Sequence, residues 1–111
     1  MSPRPLEIRL LGELEVLEGG RPVPLPASRK IRALLGYLVA EGRPHLRERL
    51  CDLLWDGPDD PRAALRWSLT KLRPVLERDR RTRVSATRDH VAFRAEGAAV
   101  DLERLDRKSV V

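Results

Sequence analysis

Apolar and polar positions alternate over Leu6-Glu7-Ile8-Arg9-Leu10, the period-two pattern of a half-buried strand. Gly12 interrupts the pattern, and Leu14-Glu15-Val16-Leu17-Glu18 resumes an approximate alternation. Gly19-Gly20 then marks a tight turn, because glycine takes positive φ without steric cost. Arg21-Pro22-Val23-Pro24-Leu25-Pro26 is too rich in proline for a central strand and reads as an edge strand or extended arm. The first quarter is therefore expected to be a small antiparallel sheet.

The period then changes. Ser28 suits a helix start, since its hydroxyl can accept an otherwise orphaned N–H. Behind it Ile31, Leu34, Leu35, Leu38 and Val39 recur at helical spacing, and Gly42 followed by Pro44 closes the segment. Leu46, Leu50, Leu53 and Leu54 predict a second, shorter helix ending near Trp55. Asp56-Gly57-Pro58-Asp59-Asp60 is a turn-rich loop. Asp60 caps a third helix, with Pro61 at its first position, where the missing N–H is harmless.

On this third helix Leu65, Leu69, Leu72 and Leu76 fall on one stripe within about 40°. The opposite face carries Ala63, Arg66, Trp67, Thr70, Lys71 and Pro74, with Arg62 and Arg73 at its flank. Pro74 is expected to kink the helix or loosen it on the way to Asp79. Further on, Arg83–Thr87 and Val91–Ala95 are short strand candidates, with Arg88-Asp89-His90 as the turn between them. From Gly97 the chain is weakly patterned, Val100 and Leu102 being its first apolar anchors.

The chain has 111 residues, 41% of them hydrophobic and 35% charged, which fits one small domain with a single core. No stretch approaches the ~18 apolar residues of a membrane span. Met1-Ser2-Pro3-Arg4-Pro5 has no apolar run behind it, so no signal peptide is read, and the lone Cys51 forms no internal disulfide. A cytoplasmic location is expected.

Net charge is +5, from 22 basic and 17 acidic residues, and its distribution says more than its sum. Residues 21–51 and 61–81 each carry a net of +5, separated by −4 over 52–60. The denser basic block is the third helix together with the few residues after its end. Catalysis needs convergent groups, and none assemble. His45 and His90 lie far apart, and neither stands at metal-ligand spacing to another His or Cys. Cys51 sits among leucines as a structural thiol, and the aspartates of 52–60 lack the alternation of a calcium loop. No glycine-rich turn links a strand to a helix, so a phosphate-cradling loop is missing too. The chain is read as no enzyme and as needing no cofactor.

A basic, amphipathic helix presenting Arg, Lys and Thr suits the major groove of double-stranded DNA. A shorter helix, a turn and then this helix is the order of a helix-turn-helix arrangement, and the hairpin behind it would supply a wing. Arg66, Thr70, Lys71 and Arg73 are the candidates for the groove. Arg62 and Arg88 are candidates for phosphate, as are Arg29, Lys30 and Arg32 at the start of the first helix. Trp67 either stacks on sugar or base or folds back onto the sheet. The rival class is a protein-interaction module on the same fold, using the acidic loop and Trp67 as its surface.

The ordered elements resemble the winged-helix output domain of OmpR/PhoB-type response regulators, and more closely the DNA-binding domain of SARP-type (antibiotic regulatory protein) transcriptional activators. The resemblance rests on Leu10-Leu11-Gly12, Lys30-Ile31-Arg32-Ala33-Leu34-Leu35, and Leu50 with Leu54-Trp55. It continues through Ala64-Leu65-Arg66-Trp67-Ser68-Leu69-Thr70-Lys71-Leu72-Arg73 and Val100-Asp101-Leu102. It implies an α+β winged helix-turn-helix over residues 6–102, with an N-terminal antiparallel sheet, three helices and a C-terminal β-hairpin wing. In it 61–79 is the recognition helix, 83–95 the wing, and 103–111 a tail or the start of a second domain. It further implies tandem binding on direct repeats and a loop, 55–60, that meets RNA polymerase or simply turns the chain. Two departures stand out: Leu46 is no small polar cap, and Val91-Ala92-Phe93 replaces the Gly-Tyr pair common in such wings.

Overall fold

The computed structural model describes residues 6–55, 60–78, 81–94 and 98–101. The opening alternation builds β1 (Leu6–Arg9), with Leu6 and Ile8 buried, and β2 (Glu15–Glu18) pairs with it antiparallel. Gly19 and Gly20 both take positive φ and turn the chain into β3 (Arg21–Pro22), which lies at the sheet edge, where proline is tolerated. Ser28 caps α1 (Arg29–Glu41), its Oγ accepting from the Ile31 N–H at 3.3 Å. Gly42, at φ 59°, ends α1 and donates its N–H to the Leu38 carbonyl. All five expected apolar positions of α1 are buried.

The next stretch differs in part from expectation. Leu46 stands at the helix entry as expected, as the N-cap of α2 (Arg47–Leu54), but with His45 it also forms a short strand, β4, that the spacing did not show. No side chain caps α2. The Arg47 N–H instead donates to the Asp89 carbonyl at 2.8 Å, so a backbone group from a distant turn takes the place of a polar cap. Asp60 caps α3 (Pro61–Leu76), its Oδ1 accepting from the Ala63 N–H at 3.2 Å, with Pro61 at the first position. Helix α3 continues through Pro74 and ends at Leu76, short of Asp79, which lies outside the described residues.

The hairpin forms as expected, from β5 (Val84–Ala86) and β6 (His90–Phe93); Ala95 lies outside the described residues. Strand β4 pairs with the free side of β6, making a three-stranded wing sheet in the order β4-β6-β5. The weakly patterned stretch after Gly97 supplies a further strand, β7 (Ala98–Val100), which pairs parallel to β1. The first sheet, in the order β3-β2-β1-β7, is therefore mixed rather than antiparallel. Val16, Ile8 and Val100 form a buried row across it. Beyond β7, Asp101 accepts the Leu10 N–H at 2.8 Å and the Leu11 N–H at 3.1 Å. Leu102 and the tail 103–111 lie outside the described residues.

One core joins these parts: the row across the first sheet, the inward stripes of α1 and α3, Leu50, and Val84, Val91 and Phe93 of the wing. Leu65, Leu69, Leu72 and Leu76 are all buried, so the outward face of α3 is fixed by what its inward face must cover.

Candidate nucleic-acid interface

Helix α3 carries Arg62, Arg66, Lys71 and Arg73 and no acidic residue. Arg62, Ala63, Arg66, Trp67, Thr70, Lys71 and Pro74 are exposed, as the apolar stripe on the other side requires. Trp67 does not fold back onto the sheet: it is 57% exposed, and the Lys71 Nζ lies 5.2 Å from its ring centroid. Thr70 Oγ1 donates to the Arg66 carbonyl at 3.0 Å, which leaves the acceptor side of the hydroxyl outward. Arg62 pairs with Glu48 of α2 at 3.3 Å, both side chains open to water. Such a pair is worth at most about 1 kcal/mol and exchanges readily for a phosphate.

The wing turn approaches the first half of α3. Arg62, Leu65 and Arg66 line one wall of a groove of about 420 Å³, and Arg88, Asp89 and His90 line the other. The turn is closed by the Thr87 N–H donating to the His90 carbonyl and by the His90 N–H donating to Thr87 Oγ1. Arg47 holds it from α2, donating through its own N–H to Asp89 and through Nε to the Thr87 carbonyl at 2.8 Å. Arg88 is thus exposed at the tip of a turn fixed on two sides.

Arg73 is placed differently from its neighbours. Its Nη1 donates to the Val84 carbonyl at 2.9 Å and pairs with Glu77 at 3.4 Å, so it ties α3 to the wing. Glu77 completes the joint, one oxygen accepting from the backbone N–H of Arg83 at 2.9 Å and of Val84 at 3.0 Å. The Arg83 side chain is fully buried beneath it, with Nη1 donating to the Leu76 carbonyl. Neither Glu77 nor Arg47 is among the residues expected from the sequence. The Arg73–Glu77 spacing of four residues was the available signal for the first. Arg29 and Lys30 are exposed in the first turn of α1, where the helix dipole disfavours cations, away from the groove. Arg32 is exposed as well, its Nε donating to the Pro26 carbonyl at 2.8 Å.

The thiol and the buried imidazole lie off this face. Cys51 is buried in α2, and burial pushes its thiol pKa up, away from the reactive thiolate. His45 is buried, its ring 4.8 Å from that of Tyr37 and its Nε2 without a hydrogen-bond partner. Burial lowers its pKa, aided by the charges of Arg43 and Arg49 and opposed by Glu41. The fold holds the neutral ring, whereas the unfolded chain takes up a proton below about pH 6.5. The stability this contributes is complete above about pH 6.5 and is lost as pH falls through the lowered folded pKa. Denaturation midpoints should therefore drop between about pH 7.5 and 5, and His45→Gln should flatten that slope; an unchanged slope excludes His45 as its source. Among the described residues, no three His, Cys, Asp or Glu side chains cluster to hold a metal, and no helix is long and apolar enough to cross a membrane.

Two helices ending in an outward basic helix, followed by a hairpin held against it, define a winged helix-turn-helix domain. The chain superposes on Mycobacterium tuberculosis EmbR, a SARP-family regulator solved in complex with a low-affinity phosphopeptide, with a TM-score of 0.79 and 28% identity. The match covers 95% of this chain and 29% of EmbR. This likeness supports an OmpR/PhoB-type winged-helix domain of the SARP kind, and the α+β fold expected from the sequence is the fold observed. No protein-family model matches the chain, and no curated protein matches its sequence.

Proposed function

We propose that the domain is a sequence-specific, double-stranded DNA-binding transcriptional regulator, with α3 in the major groove and the wing on the backbone or minor groove. One observation carries this: α3 presents an exposed face with no acidic residue, and the pinned wing turn sets a further arginine across the same groove. A polyanion is the partner that satisfies all of these cations together. Arg66, Thr70 and Lys71 address base edges. Arg62, released from Glu48, and Arg88 take phosphates. Arg29, Lys30 and Arg32 would extend the phosphate track along α1, and Arg73 acts by positioning the wing. Residues 55–60, of which 56–59 lie outside the described residues, are the segment the resemblance brings to RNA polymerase, and tandem binding on direct repeats belongs to the same proposal. So does a cytoplasmic location.

Selection of bound sequences from a random duplex pool tests the proposal. A repeated motif supports it; no enrichment favours the protein-interaction module. Salt adds a second measurement, since log K should fall steeply and linearly with log salt when several phosphates are neutralised. Arg88→Ala should weaken binding about equally on all sequences and reduce that slope by about 1. A variant with the parental slope removes Arg88 from the phosphate contacts.

A further inference from the structure

We propose that Trp67 reads the C5-methyl group of a thymine on the floor of the major groove, and so sets part of the sequence preference of α3. The inference rests on the DNA-binding function proposed above and assigns a specific ligand group to one residue of that face.

The exposure of Trp67 is the anomaly that calls for an occupant. Every other large apolar side chain of α3, namely Leu65, Leu69, Leu72, Val75 and Leu76, is buried. The indole alone is left 57% in water. A tryptophan can bury roughly 150–250 Å² of surface, so an outward one holds a large unused capacity for apolar contact. Internal packing does not use it; among the described residues its ring partner is Lys71, in an exposed cation–π contact.

The surroundings determine the kind of occupant. Arg66 precedes Trp67 and Lys71 follows one turn later, on a helix without an acidic residue. An apolar protein surface laid over the indole would desolvate these cations with nothing to pair them. A DNA duplex supplies phosphates for the charges, and the apolar group it exposes in the major groove is the thymine methyl. Trp67 also lies mid-helix on the outward stripe of Ala63, Thr70, Lys71 and Pro74. Arg66 stands about 100° round the helix, on the side of the wing groove. The two neighbours thus divide the work: the guanidinium takes hydrogen-bond acceptors, and the indole takes a methyl group.

Replacement of thymine by deoxyuridine in the selected duplex is the direct test, because it removes the methyl and keeps the base pair and its hydrogen-bonding groups. The 111-residue chain should lose about fourfold in affinity when the contacted thymine is replaced, the loss expected for one buried methyl. Trp67→Ala should bind more weakly overall and be indifferent to the replacement. Trp67→Phe, which keeps an apolar ring, should retain part of the discrimination. Matching circular dichroism spectra establish that the variants are folded. Specific binding by the parent chain that ignores deoxyuridine at every thymine overturns the proposal while leaving the DNA-binding function intact. Undiminished discrimination by Trp67→Ala overturns it equally. A pool that yields no enriched duplex refutes the function itself, and this proposal with it.

Discussion

Glu77→Ala should destabilise the domain by about 2–4 kcal/mol, a large effect for a half-buried polar residue. One carboxylate oxygen of Glu77 takes the backbone N–H groups of Arg83 and Val84 and faces the Arg73 guanidinium. Hydrogen bonds to a charged acceptor contribute about 1.5–3 kcal/mol each, and water entering this half-buried joint recovers part of the loss. Without the carboxylate the N–H groups of Arg83 and Val84, at the entry to β5, lose their shared acceptor. The wing should then be held by the Arg73 bond to the Val84 carbonyl, the Arg83 bond to the Leu76 carbonyl, Arg47, β4 and its core side chains. Glu77→Gln keeps an acceptor and should lose about half as much. Urea denaturation followed by circular dichroism measures both, and a parental midpoint for Glu77→Ala would remove the joint from the stability of the fold. Duplex affinity should fall as well, although Glu77 does not line the groove.

Arg66→Ala should weaken binding to the selected duplex by about 1–3 kcal/mol, and to a scrambled duplex far less. The side chain is exposed beside the wing groove, and no ion pair or hydrogen bond holds its guanidinium among the described residues. It is therefore free to present two parallel donors to a guanine edge. Arg66→Lys preserves the charge and loses the planar fork, so it should fall near the alanine variant on the selected duplex and near the parent on the scrambled one. Gel-shift titrations on both duplexes separate these cases. Equal losses on the two would make Arg66 a phosphate contact rather than a base reader.

The parts of the fold legible in the sequence are those whose signals are local. The stripe of α1, its Ser28 and Gly42 ends, the Asp60-Pro61 start of α3 and the turn before β6 each rest on residues a few positions apart. Strand β4 is not legible because two residues cannot show a period, and Leu46 fits the leucine spacing of the helix behind it. Strand β7 is hidden because Ala98 and Ala99 are too small to mark a face, and its partner lies at the other end of the chain. At the candidate site, the outward face of α3 follows from its leucines. The role of Arg73 does not, because at the flank of a helix the choice between solvent and the wing is made by Glu77 and Val84, which local periodicity does not place.

The joining of β7 to β1 also bears on the order in which the molecule assembles. The carboxylate of Asp101 meets the Leu10 N–H across 91 positions of chain, whereas the wing hairpin closes between Ala86 and Val91. Loop-closure entropy makes the longer link about 2–3 kcal/mol harder to form first. The helices and wing should therefore come together first, and the last strand of the mixed sheet should seal the structure late. Val100→Ala should accordingly hasten unfolding and leave the refolding rate almost unchanged, a partition that stopped-flow kinetics reads directly. Durability against unfolding should thus reside at the edge of the first sheet rather than on the exposed face of α3.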